Sequence, residues 1–234
     1  MRYLSLLIIV SSLLISCRGR AFNNPYDPER DERGYEILSI IGIEGGITPF
    51  DLTFSGDSIW IVRERSHPVS LNYTSGSRIR EIITQPASGI AYDKTNLWII
   101  NSDTRELINI SIINGETIRT VRVPEGNYNF LEFRDPYIYT ADKLTNSIVT
   151  IDPESGSIVN SFKSPSFSID GFCFDGSSFW ILESSETKIY VTDTDGILNN
   201  TFRTPTDTPS GLASGENVIW MGDRAGKIIK LRFN

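Results

Sequence analysis

Residues 171–205, GFCFDGSSFWILESSETKIYVTDTDGILNNTFRTP, contain four short runs of alternating side chains separated by three turns. Alternation over runs of this length is typical of β-strands, and the stretch shows no helical periodicity. Glycine, aspartate and asparagine stand between the runs, and these residues favour turns. The stretch therefore predicts one small antiparallel sheet of four strands.

The same pattern recurs along the chain at intervals of 38 to 41 residues. The second strand of every copy carries an aromatic marker, and the markers are Trp60, Trp98, Tyr139, Trp180 and Trp220. In four copies the turn before the last strand carries a glycine, at Gly76, Gly115, Gly156 and Gly196. A repeat of about forty residues with four strands is characteristic of a β-propeller blade. Five markers predict five blades.

The fifth copy stops at Asn234, before its fourth strand. Residues 35–41, YEILSII, have the composition of the fourth strands of the other copies and precede the first copy. A ring whose last blade is completed by an N-terminal strand leaves only short, protected sheet edges. The fold prediction is an all-β, five-bladed β-propeller with four-stranded blades over residues 35–234, closed by a strand at about residues 35–41.

Residues 1–16 have one basic side chain, Arg2, ahead of an apolar run that only serines interrupt. The run covers residues 4–15, which is shorter than the ~20 residues that span a bilayer and is typical of a signal peptide. Residues 14–17, Leu-Ile-Ser-Cys, resemble the lipobox of bacterial lipoproteins. The resemblance implies that residues 1–16 are removed and that Cys17 becomes an acylated N-terminus anchored in a lipid bilayer.

Residues 17–34 connect this predicted anchor to the repeats. The segment after Cys17 holds four basic and four acidic side chains and very few apolar ones, a composition that favours a flexible tether. In the lipoprotein resemblance, Arg18 in place of an aspartate after the cysteine implies the outer membrane. The predicted location is therefore the bacterial cell envelope, on a lipid anchor in the outer membrane.

The chain has 22 lysines and arginines against 29 aspartates and glutamates. Removal of residues 1–16 takes away Arg2 alone, so the formal charge goes from -7 to −8. An acidic chain argues against nucleic acid as a partner, because nucleic-acid binding needs a basic surface. The second cysteine, Cys173, alternates with Phe172 and Phe174 and is predicted to be a buried, unreactive thiol.

A polar residue stands three positions after every aromatic marker, and the five are Arg63, Asn101, Asp142, Glu183 and Asp223. Equivalent positions of successive blades form a ring around a propeller axis, and two interpretations of this ring stay open. In the first, the side chains accept N–H bonds in the following loop, as Asp and Asn do in turns. In the second, Asn101, Asp142, Glu183 and Asp223 bind one Ca²⁺ ion, which takes about six to eight oxygen ligands. Arg63 in the same ring is a candidate for binding a ligand carboxylate.

Several propeller families resemble parts of this pattern. Residues 139–152 resemble one NHL-type repeat, and residues 151–156, IDPESG, are similar to a turn of YVTN-type propellers. Both resemblances imply architecture and not activity. The oxygen-rich set is similar in kind to the metal site of gluconolactonase-type propellers, which are six-bladed hydrolases. Plant- and bacterial-type glutaminyl cyclases are five-bladed, and that resemblance implies an acid–base carboxylate, with Glu64 or Glu183 as candidates.

The function predicted from the sequence is that of a membrane-anchored lipoprotein. Its propeller would serve as a non-catalytic module that binds a protein or a small molecule on one face. The alternatives are a Ca²⁺-dependent, lactonase-type hydrolase and a glutaminyl cyclase-like enzyme. Ca²⁺ is the one cofactor that the sequence suggests.

Overall fold

The computed structural model describes residues 34–233, so the predicted signal peptide, Cys17 and most of the predicted tether lie outside the described residues. The described chain forms five antiparallel sheets of four strands each, and one short 3-10 helix, Glu44–Gly46. This arrangement is the all-β, five-bladed propeller that the repeats predict. No helix within residues 34–233 is long and apolar enough to cross a membrane.

The strands follow the repeats, and each of the first four blades is built from four consecutive strands. Strand β1 (Tyr35–Gly42) comes before blade 1. Blade 1 contains β2 (Asp51–Phe54), β3 (Ile59–Val62), β4 (Val69–Leu71) and β5 (Arg78–Glu81). Blade 2 contains β6 (Gly89–Tyr92), β7 (Leu97–Asn101), β8 (Glu106–Ile110) and β9 (Thr117–Arg122). Blade 3 contains β10 (Tyr128–Arg134), β11 (Tyr137–Asp142), β12 (Ser147–Ile151) and β13 (Ile158–Lys163). Blade 4 contains β14 (Gly171–Phe174), β15 (Phe179–Glu183), β16 (Lys188–Thr192) and β17 (Leu198–Arg203).

Blade 5 joins the two ends of the described chain. It contains β18 (Pro209–Gly215), β19 (Val218–Asp223) and β20 (Lys227–Phe233), with β1 as its fourth strand. Strand β1 runs antiparallel to β20, from Tyr35 opposite Phe233 to Gly42 opposite Lys227. The predicted closure of the ring by the N-terminal strand is therefore confirmed.

The aromatic markers fill the space between neighbouring blades. Trp60 of blade 1 packs in one apolar cluster with Ile90 and Leu97 of blade 2, and Trp180 of blade 4 packs with Leu212 and Ile219 of blade 5. Facing sheets lie about 10 Å apart, and large rings bridge that distance. This packing explains why every repeat keeps an aromatic residue at the same position.

The first strands of the blades meet at the axis of the ring. A Cβ atom on Gly89 would lie 2.7 Å from the backbone nitrogen of Phe130, and one on Gly171 would lie 2.8 Å from the Cα of Gly211. Real Cβ atoms do not approach other atoms so closely, so these two glycines permit backbones of adjacent blades to touch. The first strands of neighbouring blades therefore pack directly against each other around the axis.

Candidate functional site

The two ends of the ring are built from different connections. The hairpins between first and second strands lie at one end, which we call the hairpin end. The loops between second and third strands, and the connections between blades, lie at the other end, which we call the loop end. The predicted polar ring lies at the loop end, because its members stand where the second strands finish.

Asn101 and Asp142 close the loops that follow them. Oδ1 of Asn101 accepts the backbone N–H groups of Asp103 and Thr104, at 3.0 and 3.2 Å. Oδ1 of Asp142 accepts the N–H of Leu144 at 3.1 Å, and its Oδ2 accepts the hydroxyl of Thr145 at 2.7 Å. Both side chains are buried, and Oδ1 of Asp142 also accepts the N–H of Asn127, in the connection from blade 2, at 3.0 Å.

Glu183 and Asp223 make the same kind of contact with the connection that arrives from the preceding blade. Oε2 of Glu183 accepts the N–H of Phe167 at 3.1 Å. The carboxylate of Asp223 accepts the hydroxyls of Thr206 and Thr208 at 2.7 and 2.9 Å, and the N–H of Ala225 at 2.6 Å. Burial raises the pKa of Asp223, but these hydrogen bonds outweigh it and hold the pKa below its usual value.

The structure does not gather the predicted metal ligands into one group. Within residues 34–233, no cluster of three or more His, Cys, Asp or Glu side chains could hold a metal ion, so Asp142, Glu183 and Asp223 form no such cluster. The physical reason is that each carboxylate is turned towards donors of its own loop or of the adjacent connection between blades. These hydrogen bonds support the loop-capping interpretation, and the shared Ca²⁺ ion stays a prediction without an assembled set of carboxylates.

The other residues singled out at the loop end are exposed. Arg63 lies in the loop after β3 and donates from Nη2 to the hydroxyl of Ser66 at 3.1 Å. Glu64, one of the two acid–base candidates, is exposed beside it, whereas Glu183, the other, is buried and hydrogen-bonded. A ligand-binding role of Arg63 stays a prediction.

Asp51 occupies the axis of the ring, where three other blades have only a glycine at the equivalent position. Its side chain is fully buried, and Oδ2 accepts the N–H groups of Ile90 at 2.8 Å and Leu131 at 3.0 Å. The carboxyl group thus connects blades 1, 2 and 3. Oδ1 has no hydrogen-bond partner within the described chain. Burial raises the pKa of Asp51 to about 8, against the lowering effect of the backbone hydrogen bonds.

Glu132 lies on the same axis, towards the hairpin end. Its Oε2 accepts the N–H of Phe174 in blade 4 through a long contact of 3.4 Å. Burial raises the pKa of Glu132 to about 8; the bond from Phe174 opposes this rise, and the nearby charge of Asp51 adds to it. Cys173 is buried beside these carboxyls, and its pKa is raised as well, chiefly by burial. The predicted unreactive thiol fits these surroundings.

A cavity of about 650 Å³ opens at the hairpin end, with Glu132 among its lining residues. Side chains from blades 2, 3, 4 and 5 form its walls. Its aromatic and polar lining residues include Tyr92, Lys94, Glu132, Arg134, Asp135, Phe174, Asp175, Trp180, Ser214, Glu216 and Phe233. The cavity therefore combines aromatic rings, two cations at its rim and a partly buried carboxyl group.

Sequence reasoning did not identify Asp51 or Glu132 as site residues. Both interrupt the repeat: the positions equivalent to Glu132, each paired with an aromatic marker, hold Thr53, Ala91, Cys173 and Ala213. A carboxylate that appears once at a position otherwise reserved for small or uncharged residues was the signal available in the sequence.

Comparison with known proteins identifies the fold. No family model matches the chain, and no curated protein matches it. Among solved structures, it is similar to the glutaminyl cyclase of Myxococcus xanthus, with a TM-score of 0.73, 13% identity, and coverage of 86% of this chain and 96% of that one. It is also similar to virginiamycin B lyase from Staphylococcus aureus, with a TM-score of 0.52, 19% identity, and coverage of 80% and 66%. The WD40 propeller domain of Doa1 matches with a TM-score of 0.53, 9% identity, and coverage of 85% and 97%.

These neighbours define the class of protein to which the chain belongs by fold. It is a β-propeller, and the sheet count makes it a five-bladed one. Identities this low establish architecture alone, because propellers with the same blades carry unrelated sites. The function of the chain therefore depends on the residues at the two ends of the ring.

Proposed function

We propose that this chain is a membrane-anchored lipoprotein whose propeller is a binding module, and that its ligand site is the hairpin-end cavity. The observation that supports the proposal is the cavity itself, about 650 Å³ in volume with Glu132 facing it. Small-molecule sites are typically concave, about 300–1,000 Å³, lined by apolar rings with a few polar groups. The anchor rests on the resemblance of residues 14–17 to a lipobox.

The inner strands of the blades support this site. Their backbones pack together at Gly89 and Gly171, and Glu132, which stands on one of these strands, lines the cavity. A wall built from hydrogen-bonded strands of four blades is preorganised, which lowers the cost of binding. The loop end offers a contrast, since its buried acceptors are occupied by its own loops.

A fragment screen on full-length protein in detergent tests the cavity. Ser214 lines the cavity, so Ser214→Phe is expected to fill part of it and abolish the binding of fragment hits. Ser185→Phe, at an exposed position of the loop end, is the matched control and is expected to retain them. Hits that survive Ser214→Phe but not Ser185→Phe, or a screen with no hits, would overturn the proposed site.

The anchor is tested separately in a bacterial host. Cells fed an alkyne-bearing fatty acid are expected to label the wild-type chain and not Cys17→Ser, which should also leave the membrane fraction. Cys173→Ser is the control, because a buried thiol should not be acylated. Equal labelling of wild type and Cys17→Ser would refute lipidation at Cys17.

A second candidate is an enzyme that uses Glu132 as a general acid or base. The observation in its favour is that burial raises the pKa of Glu132 to about 8, so this carboxyl exchanges protons near neutral pH, as catalytic carboxyls do. In that case the fragment hits include substrates that the wild type converts and Glu132→Gln binds without converting. Mass spectrometry of each hit after prolonged incubation with the two proteins separates the two functions.

A further inference from the structure

We propose that the hairpin-end cavity binds an organic ammonium ion and that Glu132 is its counter-ion. The inference rests on the binding function proposed above and names the ligand class of the same site. It follows from the burial and the hydrogen-bond and ion-pair partners of the charged side chains around the cavity.

Glu132 is the cavity carboxyl that is withdrawn from solvent, whereas Asp135, Asp175 and Glu216 are exposed. Within residues 34–233 its carboxyl has one hydrogen bond, the 3.4 Å contact from the N–H of Phe174, and no ion pair. By contrast, Asp175 accepts the indole N–H of Trp180 at 2.6 Å and the N–H of Ser177 at 2.8 Å. Glu216 forms an ion pair with Lys230 at 3.1 Å. A carboxylate held out of water without a cation is unfavourable, so Glu132 is the group that a ligand cation would stabilise.

The protein's own cations at the cavity are directed elsewhere. The guanidinium of Arg134 lies 3.9 Å from the centre of the Phe174 ring, and its Nη2 donates to the carbonyl of Gly176. Lys94 is exposed in the hairpin of blade 2. No ion pair joins either side chain to Glu132 within the part of the chain that the structure describes. Among residues 34–233, no cation is paired with Glu132, so a ligand cation could take that place.

The walls of the cavity suit a cation that carries carbon. Tyr92, Phe174, Trp180 and Phe233 present aromatic side chains to it, and aromatic faces attract ammonium groups. Arg134 over Phe174 already shows this attraction within the cavity, and Lys230 lies 4.6 Å from the ring of Trp220 close by. A hydrated metal ion would gain little from such walls, whereas an alkylammonium ion would contact both the rings and the carboxylate.

Calorimetric titration of the full-length protein in dodecyl maltoside tests this inference with three probes of equal shape. Choline carries a permanent positive charge, 3,3-dimethylbutan-1-ol is its neutral isostere, and 3,3-dimethylbutanoate is an anion of similar size. At pH 8.5 choline is expected to bind at least about tenfold more tightly than the alcohol, because it alone makes desolvated cation–carboxylate and cation–π contacts. The anion is expected to bind most weakly.

Two variants assign the effect to Glu132. Glu132→Gln keeps the shape and removes the charge, and it is expected to weaken choline binding about tenfold while leaving the alcohol unchanged. Glu216→Gln removes a charge from the rim that Lys230 already pairs, and it is expected to change choline binding less than about twofold. Melting temperatures near that of the wild type show that both variants fold.

The outcomes separate this inference from the function on which it rests. Equal binding of choline and its neutral isostere, or choline binding that survives Glu132→Gln, overturns the ammonium class while the cavity remains a binding site. If choline does not bind but Ser214→Phe abolishes fragment hits, the ammonium class is likewise overturned and the cavity remains a binding site. Absence of both kinds of binding overturns the proposed function as well.

Discussion

At the loop end, Asp142, Glu183 and Asp223 are buried beside N–H and hydroxyl donors of the loops and interblade connections around them. On the axis, Asp51 and Glu132 are held with fewer donors than acceptors: Oδ1 of Asp51 has no partner within residues 34–233, and Glu132 has one long hydrogen bond. The first group recurs in successive blades, whereas the second interrupts the repeat. The carboxylates that recur from blade to blade therefore stabilise the loops. The two that each occur once, Asp51 and Glu132, have no such role in the repeat, and they are the candidates for a special function.

The largest expected effect is at the axis. Asp51→Ala removes the acceptor of two buried N–H groups, those of Ile90 and Leu131, and each unsatisfied group costs about 1–3 kcal/mol. We expect the free energy of unfolding to fall by on the order of 3 kcal/mol, measured by urea denaturation at pH 7. Asp51→Asn keeps an acceptor and should lose less than about 1 kcal/mol. Equal losses for the two variants would show that the bridge between blades 1, 2 and 3 does not stabilise the ring.

A smaller loss is expected at the loop end. Asp142→Ala removes acceptors for the N–H groups of Asn127 and Leu144 and for the hydroxyl of Thr145, but water can reach these donors once the loop relaxes. We expect a fall in unfolding free energy of about 1 kcal/mol, which would sharpen the contrast with Asp51. A rise in melting temperature with Ca²⁺ that Asp142→Ala removes would break the contrast, because it would support the shared-cation site.

The pH dependence of stability should also distinguish the two ends. The pKa values of Asp51 and Glu132 rise to about 8 in the folded chain, so the folded state keeps protons that the unfolded state releases above about pH 4. Stability from these groups is therefore fully present below pH 4 and lost as pH rises towards 8. Each group contributes at most about 1.4 kcal/mol per pH unit.

Glu132→Gln is expected to make this loss of stability between pH 5 and pH 8 shallower. The double variant, Glu132→Gln with Asp51→Asn, is expected to make it shallower still. Asp223 has the opposite sign, since its pKa is lowered in the folded chain and its contribution disappears as pH falls through the folded pKa. Thermal unfolding across this pH range provides the measurement. A wild-type curve that rises from pH 5 to pH 8 would contradict the account of the axis.

The smallest effect is expected from the exposed charges of the loop end. Arg65 of blade 1 and Asp103 of blade 2 form an ion pair at 3.0 Å, with 64% and 60% of their side chains exposed. Such pairs are worth less than about 1 kcal/mol and are screened by salt. Asp103→Asn should therefore change stability by a few tenths of a kcal/mol at low salt, and by nothing measurable in 0.5 M NaCl. A salt-independent loss above about 1 kcal/mol would show that this pair connects the blades as the buried contacts do.

The repeat made most of the fold predictable. Markers such as Trp60 and Trp180 contact the next blade, so their spacing counts blades directly, and the position of the closing strand followed from the truncated fifth copy. The loop-capping role of Asn101 and Asp142 could also be predicted, because Asp and Asn side chains that follow a strand tend to accept N–H bonds from the next turn. The sequence could not decide whether the four polar side chains share a cation. Ligands from four blades can bind one ion only if their oxygens are not already used by nearby loops.

Sequence order and residue type determined the blade number, the strand pattern, the closure by β1 and the burial of the Cys173 thiol, because all of these depend on local periodicity and on one fixed spacing. The tertiary structure alone decided that Asp51 reaches Leu131, eighty residues away, and that Glu132 faces a cavity walled by four blades. Those contacts arise when five twisted sheets close around an axis narrow enough for backbones to touch. The spacing of the repeats does not encode that radius, since it is set by how the blades pack.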